Sequence, residues 1–104
     1  MAGFTNGKIH KDNNTSAILG GVAGNKIYKG TSSGNILGGV TGDKIYKGTS
    51  SGNIIGGAKG GKIFKGNSPS STIGSVKDCK ITGMERENEA LMVAAYHFLV
   101  KPIF

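Results

Sequence analysis

With 104 residues, 19 glycines and a net charge of +7, this chain has room for one domain with a modest core. Only 2 prolines accompany the glycines, which excludes collagen and a polyproline linker. The one cysteine, Cys79, cannot form an internal disulfide, so we expect a reducing compartment and a cytoplasmic location.

The dipeptide Lys-Ile recurs every 18 residues, which indicates that one short unit is copied along the chain. Its positions are Lys8, Lys26, Lys44, Lys62 and Lys80. Each unit holds two candidate strands that are rich in β-branched or aromatic residues and are bounded by turn residues. The first kind reads Lys-Ile-Tyr-Lys, at 26–29 and 44–47. The second reads Ile-Leu-Gly-Gly-Val at 36–40, with related copies at 54–58 and 72–76.

Two kinds of connector alternate between these strands. The short one has three residues, as at 41–43, and predicts a hairpin loop. The long one reads Gly-Thr-Ser-Ser-Gly-Asn and predicts a wider turn with side-chain bonds to the backbone. If Val40 pairs with Lys44 across the short loop, Gly38 lies opposite Tyr46. We expect the ring to lie flat over the neighbouring backbone there, which gives the Gly-Gly pair a packing role.

Two architectures accept such a unit, and the lysines distinguish them. In a β-solenoid, equivalent lysines would stack about 4.8 Å apart, where like charges repel. The two ladders would be Lys8, Lys26, Lys44, Lys62 and Lys11, Lys29, Lys47, Lys65. A radial arrangement of hairpins spreads the same charges around a rim. We therefore predict a mainly β fold of four two-strand repeats of about 18 residues, closed radially like a flower or a barrel, and keep the solenoid as the alternative.

The pattern changes after the fifth Lys-Ile. We predict a β-repeat domain over residues 1–81 and one C-terminal helix within 82–104 that packs on it, as a single domain overall. Thr82 and Glu85 have the spacing of a capping box, with Thr82 as the N-cap. The glutamates of the first two turns suit the positive end of a helix.

The helix is predicted from Gly83 to Val100, ended by Pro102. Its second half is apolar on nearly all sides, so it is either buried against the β-part or paired with a second copy of the chain. Such a rim would form a homodimer or hold a protein partner. The candidate interface residues are Leu91, Met92, Ala95, Phe98 and Leu99.

Membrane association is not expected. The longest apolar stretch, 90–100, contains His97 and is too short to span a bilayer. The first residues lack a basic region followed by an apolar run, so we expect no signal peptide.

Few side chains are placed to carry catalysis. His10 occupies the position that Tyr28 has in the next unit, which predicts a packing role, and His97 lies on an apolar helix. Cys79 has no histidine nearby in sequence. No cluster of Cys, His, Asp and Glu has metal-ligand spacing, and no Ser-His-Asp arrangement stands out. We therefore predict a non-enzymatic binding or scaffold protein without catalytic residues, metal or cofactor.

The positive charge belongs to the repeats. Residues 1–81 carry +8 and residues 82–104 carry −1. Lysines interleaved with aromatic residues are typical of surfaces that bind nucleic acid or another polyanion non-specifically. The alternative is that these lysines keep a glycine-rich β-surface soluble and block edge pairing. The candidate polyanion-binding residues are Lys26, Lys29, Lys44, Lys47, Lys62 and Lys65.

Residues 42–56 read Gly-Asp-Lys-Ile-Tyr-Lys-Gly-Thr-Ser-Ser-Gly-Asn-Ile-Ile-Gly. This motif, with the Glu-rich and then apolar helix that follows the repeats, resembles small bacterial repeat proteins, some of which are carried on mobile integron gene cassettes. The chain is also similar to the four-fold β-flower family, whose short hairpins are arranged radially. The resemblance extends over residues 4–100 and implies a radial architecture. The repeat motif carries no catalytic residues.

Overall fold

The computed structural model describes residues 3–5, 7–11, 16–32, 34–67, 70–84 and 88–104. Nine strands in these residues form one antiparallel sheet, in which the spatial order is the order of the chain. They are β1 (Gly3–Thr5), β2 (Lys8–His10), β3 (Ile18–Ala23), β4 (Lys26–Lys29), β5 (Ile36–Thr41), β6 (Lys44–Lys47), β7 (Ile54–Lys59), β8 (Lys62–Lys65) and β9 (Thr72–Ser75). Antiparallel pairing of consecutive strands excludes the stacked coils of a β-solenoid.

The sheet is not closed on itself. Among the described residues, its outer strands β1 and β9 each pair with one neighbouring strand and not with each other. The two ends of the β-region are nevertheless in contact, because the Phe4 N–H donates to the Thr82 carbonyl at 2.8 Å. Gly3 also forms a parallel bridge with Thr82. The mainly β fold with a C-terminal helix is confirmed, and the four-fold radial closure is not confirmed.

The short connector is tighter than predicted. Thr41 is the last residue of β5 and pairs with Lys44, so only Gly42 and Asp43 form the turn. Gly42 has a φ of 62°, the left-handed conformation that a two-residue hairpin turn requires at its first position and that glycine adopts without a steric penalty. The turns at 24–25 and 60–61 repeat this geometry.

The shorter turn changes the register by one residue. Gly39, and not Gly38, lies opposite Tyr46, so the predicted pairing was wrong. A Cβ at Gly39 would overlap the Tyr46 ring, whereas a Cβ at Gly38 would overlap Phe98 of the C-terminal segment. The two glycines therefore face opposite sides of the sheet, and each leaves room for a ring. The ring that lies over its glycine was predicted, but on the wrong glycine.

Two names describe these sides. The helix face carries the first glycine of each pair and the core isoleucines, and the ring face carries the second glycine and the rings of Tyr28, Tyr46 and Phe64. The wide loops close by backbone bonds, as where the Asn53 N–H donates to the Ser50 carbonyl at 3.0 Å. All wide loops leave the sheet at the end opposite the short turns.

The C-terminal helix begins later than predicted. Gly83 has a φ of 99°, which a helix does not contain, and Thr82 belongs to the bridge with β1. Helix α1 spans Glu89–Ala95, and the side chain of Asn88 caps it by accepting the Ala90 N–H at 2.8 Å. The predicted capping box was therefore wrong in its cap residue. Its partner Glu85 lies outside the described residues.

Two polar contacts fix the start of α1 on the short turns. The Asn88 amide donates to the Gly42 carbonyl at 3.2 Å, and a Glu89 carboxylate oxygen accepts the Gly61 N–H at 3.3 Å. The helix then widens into a π-helical turn at Tyr96–Val100, in which the Lys101 N–H donates to the Tyr96 carbonyl at 2.9 Å. The end at Val100 agrees with the prediction.

The core lies between the helix face and α1. All six residues from Ala90 to Ala95 are buried, and they pack with an isoleucine from each of the short strands β2, β4, β6 and β8. These isoleucines are Ile9, Ile27, Ile45 and Ile63. Of the two predicted arrangements for the helix, the structure has α1 buried against the β-part.

Candidate nucleic-acid interface

The six candidate lysines are divided between the two faces of the sheet. Neighbouring residues of a strand point to opposite sides, and directly paired residues point to the same side. Lys47 pairs with Gly38 and so lies on the helix face, while Lys44 lies on the ring face with Tyr46. The same reasoning places the other repeats. Lys26, Lys44 and Lys62 lie on the ring face, and Lys29, Lys47 and Lys65 lie on the helix face.

Lysines of the ring face cover buried rings of the next unit. The Lys26 ammonium lies 5.6 Å from the centroid of the Tyr46 ring and donates to its hydroxyl at 3.1 Å. Lys8 lies 5.5 Å from the Tyr28 centroid, and Lys44 lies 5.7 Å from the Phe64 centroid. Each ring is at most 5% exposed. These rings cannot stack on a nucleobase, so their interleaving with lysine is a packing feature rather than a binding surface.

Lysines of the helix face are exposed and lie beside a different set of apolar side chains. Each of these lysines pairs with a glycine, and that glycine pairs on its other side with a core isoleucine. Lys47 pairs with Gly38, for example, and Gly38 pairs with Ile27. We call such a set of three paired residues a row. The C-terminal segment covers the glycine of each row, with Leu99, Phe98 and Phe104 over Gly20, Gly38 and Gly56 respectively. The exposed lysines of these rows are Lys29, Lys47 and Lys65.

A surface cleft of about 520 Å³ lies where two of these rows meet the C-terminal segment. We call it the ring cleft. Two cations and three rings line it together with smaller residues. They are Lys47, Lys65, His97, Phe98 and Phe104, with Ile55, Gly66 and Pro102. Residues from the predicted polyanion set and from the predicted partner set thus come together at one place.

His97 connects the C-terminal segment to this cleft. Its Nδ1 accepts the Ile103 N–H at 2.9 Å and the Phe104 N–H at 3.3 Å. Its ring makes edge contacts with Phe98 and Phe104, with centroids 4.8 and 5.0 Å apart. Because Nδ1 is an acceptor, the proton of the neutral imidazole resides on Nε2. His97 therefore holds Phe104 over the sheet.

Lowering the pH is expected to weaken this contact. Burial, followed by the nearby charge of Lys47, lowers the pKa of His97 from its ordinary 6.5. The unfolded chain then binds the proton at a higher pH than the folded chain does. The stability that the neutral ring contributes is complete above pH 6.5 and is lost as the pH falls from there through the lowered pKa.

Urea denaturation from about pH 7.5 to about pH 5 measures this loss in the natural chain and in His97→Phe. The variant keeps a ring beside Phe98 but has no titrating group at this position. We expect the natural chain to lose more stability than the variant across this interval. The two proteins differ only at position 97, so the comparison isolates the contribution of His97. An equal loss in both would contradict the role given to His97.

The predicted partner residues are mostly inside the chain. Leu91, Met92 and Ala95 are buried residues of α1, whereas Phe98 and Leu99 are half buried on the sheet. The residues of this set that keep accessible surface are therefore mainly Phe98, which lines the ring cleft, and Leu99, which covers Gly20. A homodimer through this segment stays a prediction.

The remaining reactive side chains are packing residues. His10 is buried, its ring lies over Gly3 as Tyr28 lies over Gly21, and its Nε2 is 3.1 Å from the Thr5 hydroxyl. Burial, with the nearby charge of Asp78, raises the pKa of the Cys79 thiol, which keeps it protonated and a poor nucleophile. No group of three metal-ligating side chains occurs within the described ranges. In the same part of the chain, no helix has the length and apolar character needed to cross a membrane.

Sequence reasoning missed the role of the last residues. No site is predicted at Phe104 from the sequence, although the apolar Ile103 and Phe104 after Pro102 indicate a chain that packs back. The lysine ammonium groups that lie over the Tyr28 and Tyr46 rings were also not predicted.

The model of the 6-fold beta flower protein family matches residues 1–93 of this chain. No curated protein and no solved structure matches the chain. The match agrees with the resemblance in the kind of repeat, while the description of the family gives a six-fold and not a four-fold arrangement.

Proposed function

We propose that the function of this chain, which belongs to the 6-fold beta flower family by a match over residues 1–93, lies in its repeat surface. It is a non-enzymatic binding module, and the exposed lysines of its helix face contact the phosphates of single-stranded nucleic acid. The single observation that carries the proposal is the placement of Lys29, Lys47 and Lys65 on one face, beside the half-buried C-terminal side chains Leu99, Phe98 and Phe104 respectively.

Spacing favours a polymeric ligand. Lys47 lies on β6 and Lys65 on β8, with one strand between them, so their Cα atoms are at least about 10 Å apart. This spacing presents the two ammonium groups to successive phosphates of one strand. Lys29 extends the same series to β4.

The positions of the charged side chains also favour binding along these lysines. Each of the three lysines precedes a wide loop, so all three lie at the wide-loop end of the sheet. Asp43 lies in a short turn at the other end, and Glu89 contacts the short turn at Gly61. A strand bound along the lysines is therefore kept away from these two carboxylates. Binding of this kind is independent of sequence and weakens with salt.

Replacing the three lysines tests the proposal. We expect Lys29→Gln, Lys47→Gln and Lys65→Gln together to weaken binding of a fluorescent oligonucleotide about 10- to 100-fold at 50 mM salt. The slope of log affinity against log salt should fall by about 2, because each phosphate contact on a single strand contributes about 0.7. Fluorescence anisotropy from about 50 to 200 mM salt measures both quantities.

The matched control removes three exposed lysines from elsewhere, Lys59, Lys77 and Lys80, and so changes the net charge equally. We expect it to lose little affinity. Equal losses in the two triple variants would mean that only net charge matters, which contradicts a defined surface. Absence of binding by the natural chain at low salt would remove the proposed function altogether.

Radial closure is a second part of the proposal. The hydrogen bond from the Phe4 N–H to the Thr82 carbonyl brings the start of the β-region against the segment that follows β9. This contact supports an arrangement in which the hairpins spread from a common centre. All the short turns then point the same way, either toward that centre or away from it. Such an arrangement keeps Lys29, Lys47 and Lys65 of successive units at one rim.

A further inference from the structure

We propose that the ring cleft is a base-stacking site that takes one unpaired nucleobase of the bound strand between Lys47 and Lys65. This inference rests on the proposed function and adds to it the part of the ligand that is recognised. Its occupant is a flat heteroaromatic base held against Phe98 and Phe104, with the phosphates on either side directed toward the two lysines.

The rings are held in place before any ligand arrives. Because Gly38 and Gly56 have no Cβ, the rings of Phe98 and Phe104 lie directly against the backbone of the sheet at these two residues. His97 lies between them and fixes the chain of Phe104 through its Nδ1. A platform whose side chains are already ordered loses little conformational entropy when a base stacks on it.

The rings are also available. The planes of His97 and Phe98 meet at 72°, and those of His97 and Phe104 meet at 61°, so neither phenyl ring is stacked flat on the imidazole. All three side chains are only half buried. This is the opposite of the ring face, where lysines cover Tyr28, Tyr46 and Phe64.

Size and charge fit a nucleotide. The cleft has a volume of about 520 Å³, within the range of small-molecule sites and ample for a purine. Its rim is cationic at Lys47 and Lys65, and its wall is apolar at Ile55 and Pro102. A paired base in a duplex is stacked on its neighbours and does not enter such a cleft. The site therefore predicts a preference for single strands over duplexes.

The decisive comparison uses the natural chain and strands of equal length. One strand carries bases, a second is abasic along its whole length, and a third is the duplex of the first. By anisotropy at about 50 mM salt, we expect the strand with bases to bind about 5- to 100-fold more tightly than the abasic strand. We also expect it to bind more tightly than the duplex.

Variants locate the effect. Phe104→Ala is expected to remove most of the difference between the strands, with little effect on the abasic strand. Leu99→Ala is the matched control, because Leu99 covers Gly20 beside Lys29 in the equivalent row but lies outside the ring cleft. It should leave the difference intact. Thermal unfolding of both variants checks that they are folded, and the abasic comparison decides the question even if they are not.

The outcomes separate the two proposals. Equal binding of the strand with bases and the abasic strand, with the expected loss in the lysine triple variant, overturns base stacking and leaves the proposed function standing. Duplex binding as tight as single-strand binding also overturns base stacking. If no strand binds at low salt, the proposed function fails and base stacking fails with it.

Discussion

Gly39→Ala is expected to lower the free energy of unfolding by about 2–3 kcal/mol, a large effect for the addition of one methyl group. A Cβ at this position would lie 2.5 Å from the Tyr46 Cζ and 2.8 Å from the Asn25 carbonyl oxygen. The Asn25 carbonyl accepts the Val40 N–H at 2.8 Å, so the backbone cannot retreat without losing that bond. Tyr46 is 4% exposed, so its ring has no free space to enter.

Gly52→Ala is the matched control for this prediction. Gly52 lies in a wide loop, and the nearest atom to an added Cβ there is the Ser50 Oγ, at 3.7 Å. We expect a change within about 0.5 kcal/mol, as for most surface substitutions. Urea denaturation of both variants measures the difference. Equal stabilities for Gly39→Ala and Gly52→Ala would contradict the close approach of Tyr46 to the strand.

The glycine pairs explain how a thin sheet is packed on both sides. The first glycine of each pair admits a side chain from the C-terminal segment, and the second admits a ring from the neighbouring strand. Glycine normally weakens a strand, because it adds conformational entropy to the unfolded chain and has no side chain to pack. Here the packing gained on each face offsets that cost. The repeat therefore retains two adjacent glycines where a β-branched residue would otherwise be favoured.

The strands were predictable because their signals are local. The 18-residue period, the β-branched residues of Lys-Ile-Tyr-Lys and the glycines at the turns are all visible in one unit. The register was not predictable in the same way. A loop of two residues and a loop of three read alike in the sequence, since Thr41 can end a strand or begin a turn. One residue of register reverses which face a side chain occupies.

The one-residue difference in register changes which side chains can form a binding surface. In the structure, Lys26 covers Tyr46 on the ring face, so the lysine-aromatic pattern of the sequence describes buried rings. The accessible rings, Phe98 and Phe104, come from the C-terminal segment, and only the folded chain brings them to Lys47 and Lys65. A contact between residues more than 30 positions apart leaves no trace in the period of a repeat.

The repulsion between equivalent lysines depends on which strands are neighbours. In stacked units, equivalent lysines would face each other directly. In the sheet, Lys26 and Lys44 lie two strands apart, with β5 between them, and Gly39 pairs with Lys26. Because another strand separates Lys26 from Lys44, the repulsion between equivalent lysines is weakened whether or not the sheet closes. Lys59 and Lys62 do face each other, next to a turn where both are exposed to water.

Ile45→Ala is expected to lower the free energy of unfolding by about 2–5 kcal/mol. Ile45 has no exposed surface, and its side chain lies in the core with α1 above the sheet. Removing three carbons there leaves a cavity that α1 cannot fill, because Asn88 and Glu89 fix its start to the short turns. The total stability of a chain this size is about 5–15 kcal/mol, so the loss is a large part of it.

The matched control is the same substitution on an outer strand. Ile73 on β9 is 46% exposed, so we expect Ile73→Ala to cost less than about 1 kcal/mol. Ile45→Val, which removes one carbon, should cost about 0.5–1.5 kcal/mol and keeps the protein folded for measurement. Ile45 pairs with Gly56, and Gly56 is covered by Phe104. A cavity at Ile45 therefore also loosens the support of the ring cleft, and Ile45→Val should weaken binding of a strand with bases more than binding of the abasic strand. Equal costs for Ile45→Ala and Ile73→Ala would mean that α1 does not pack on this face.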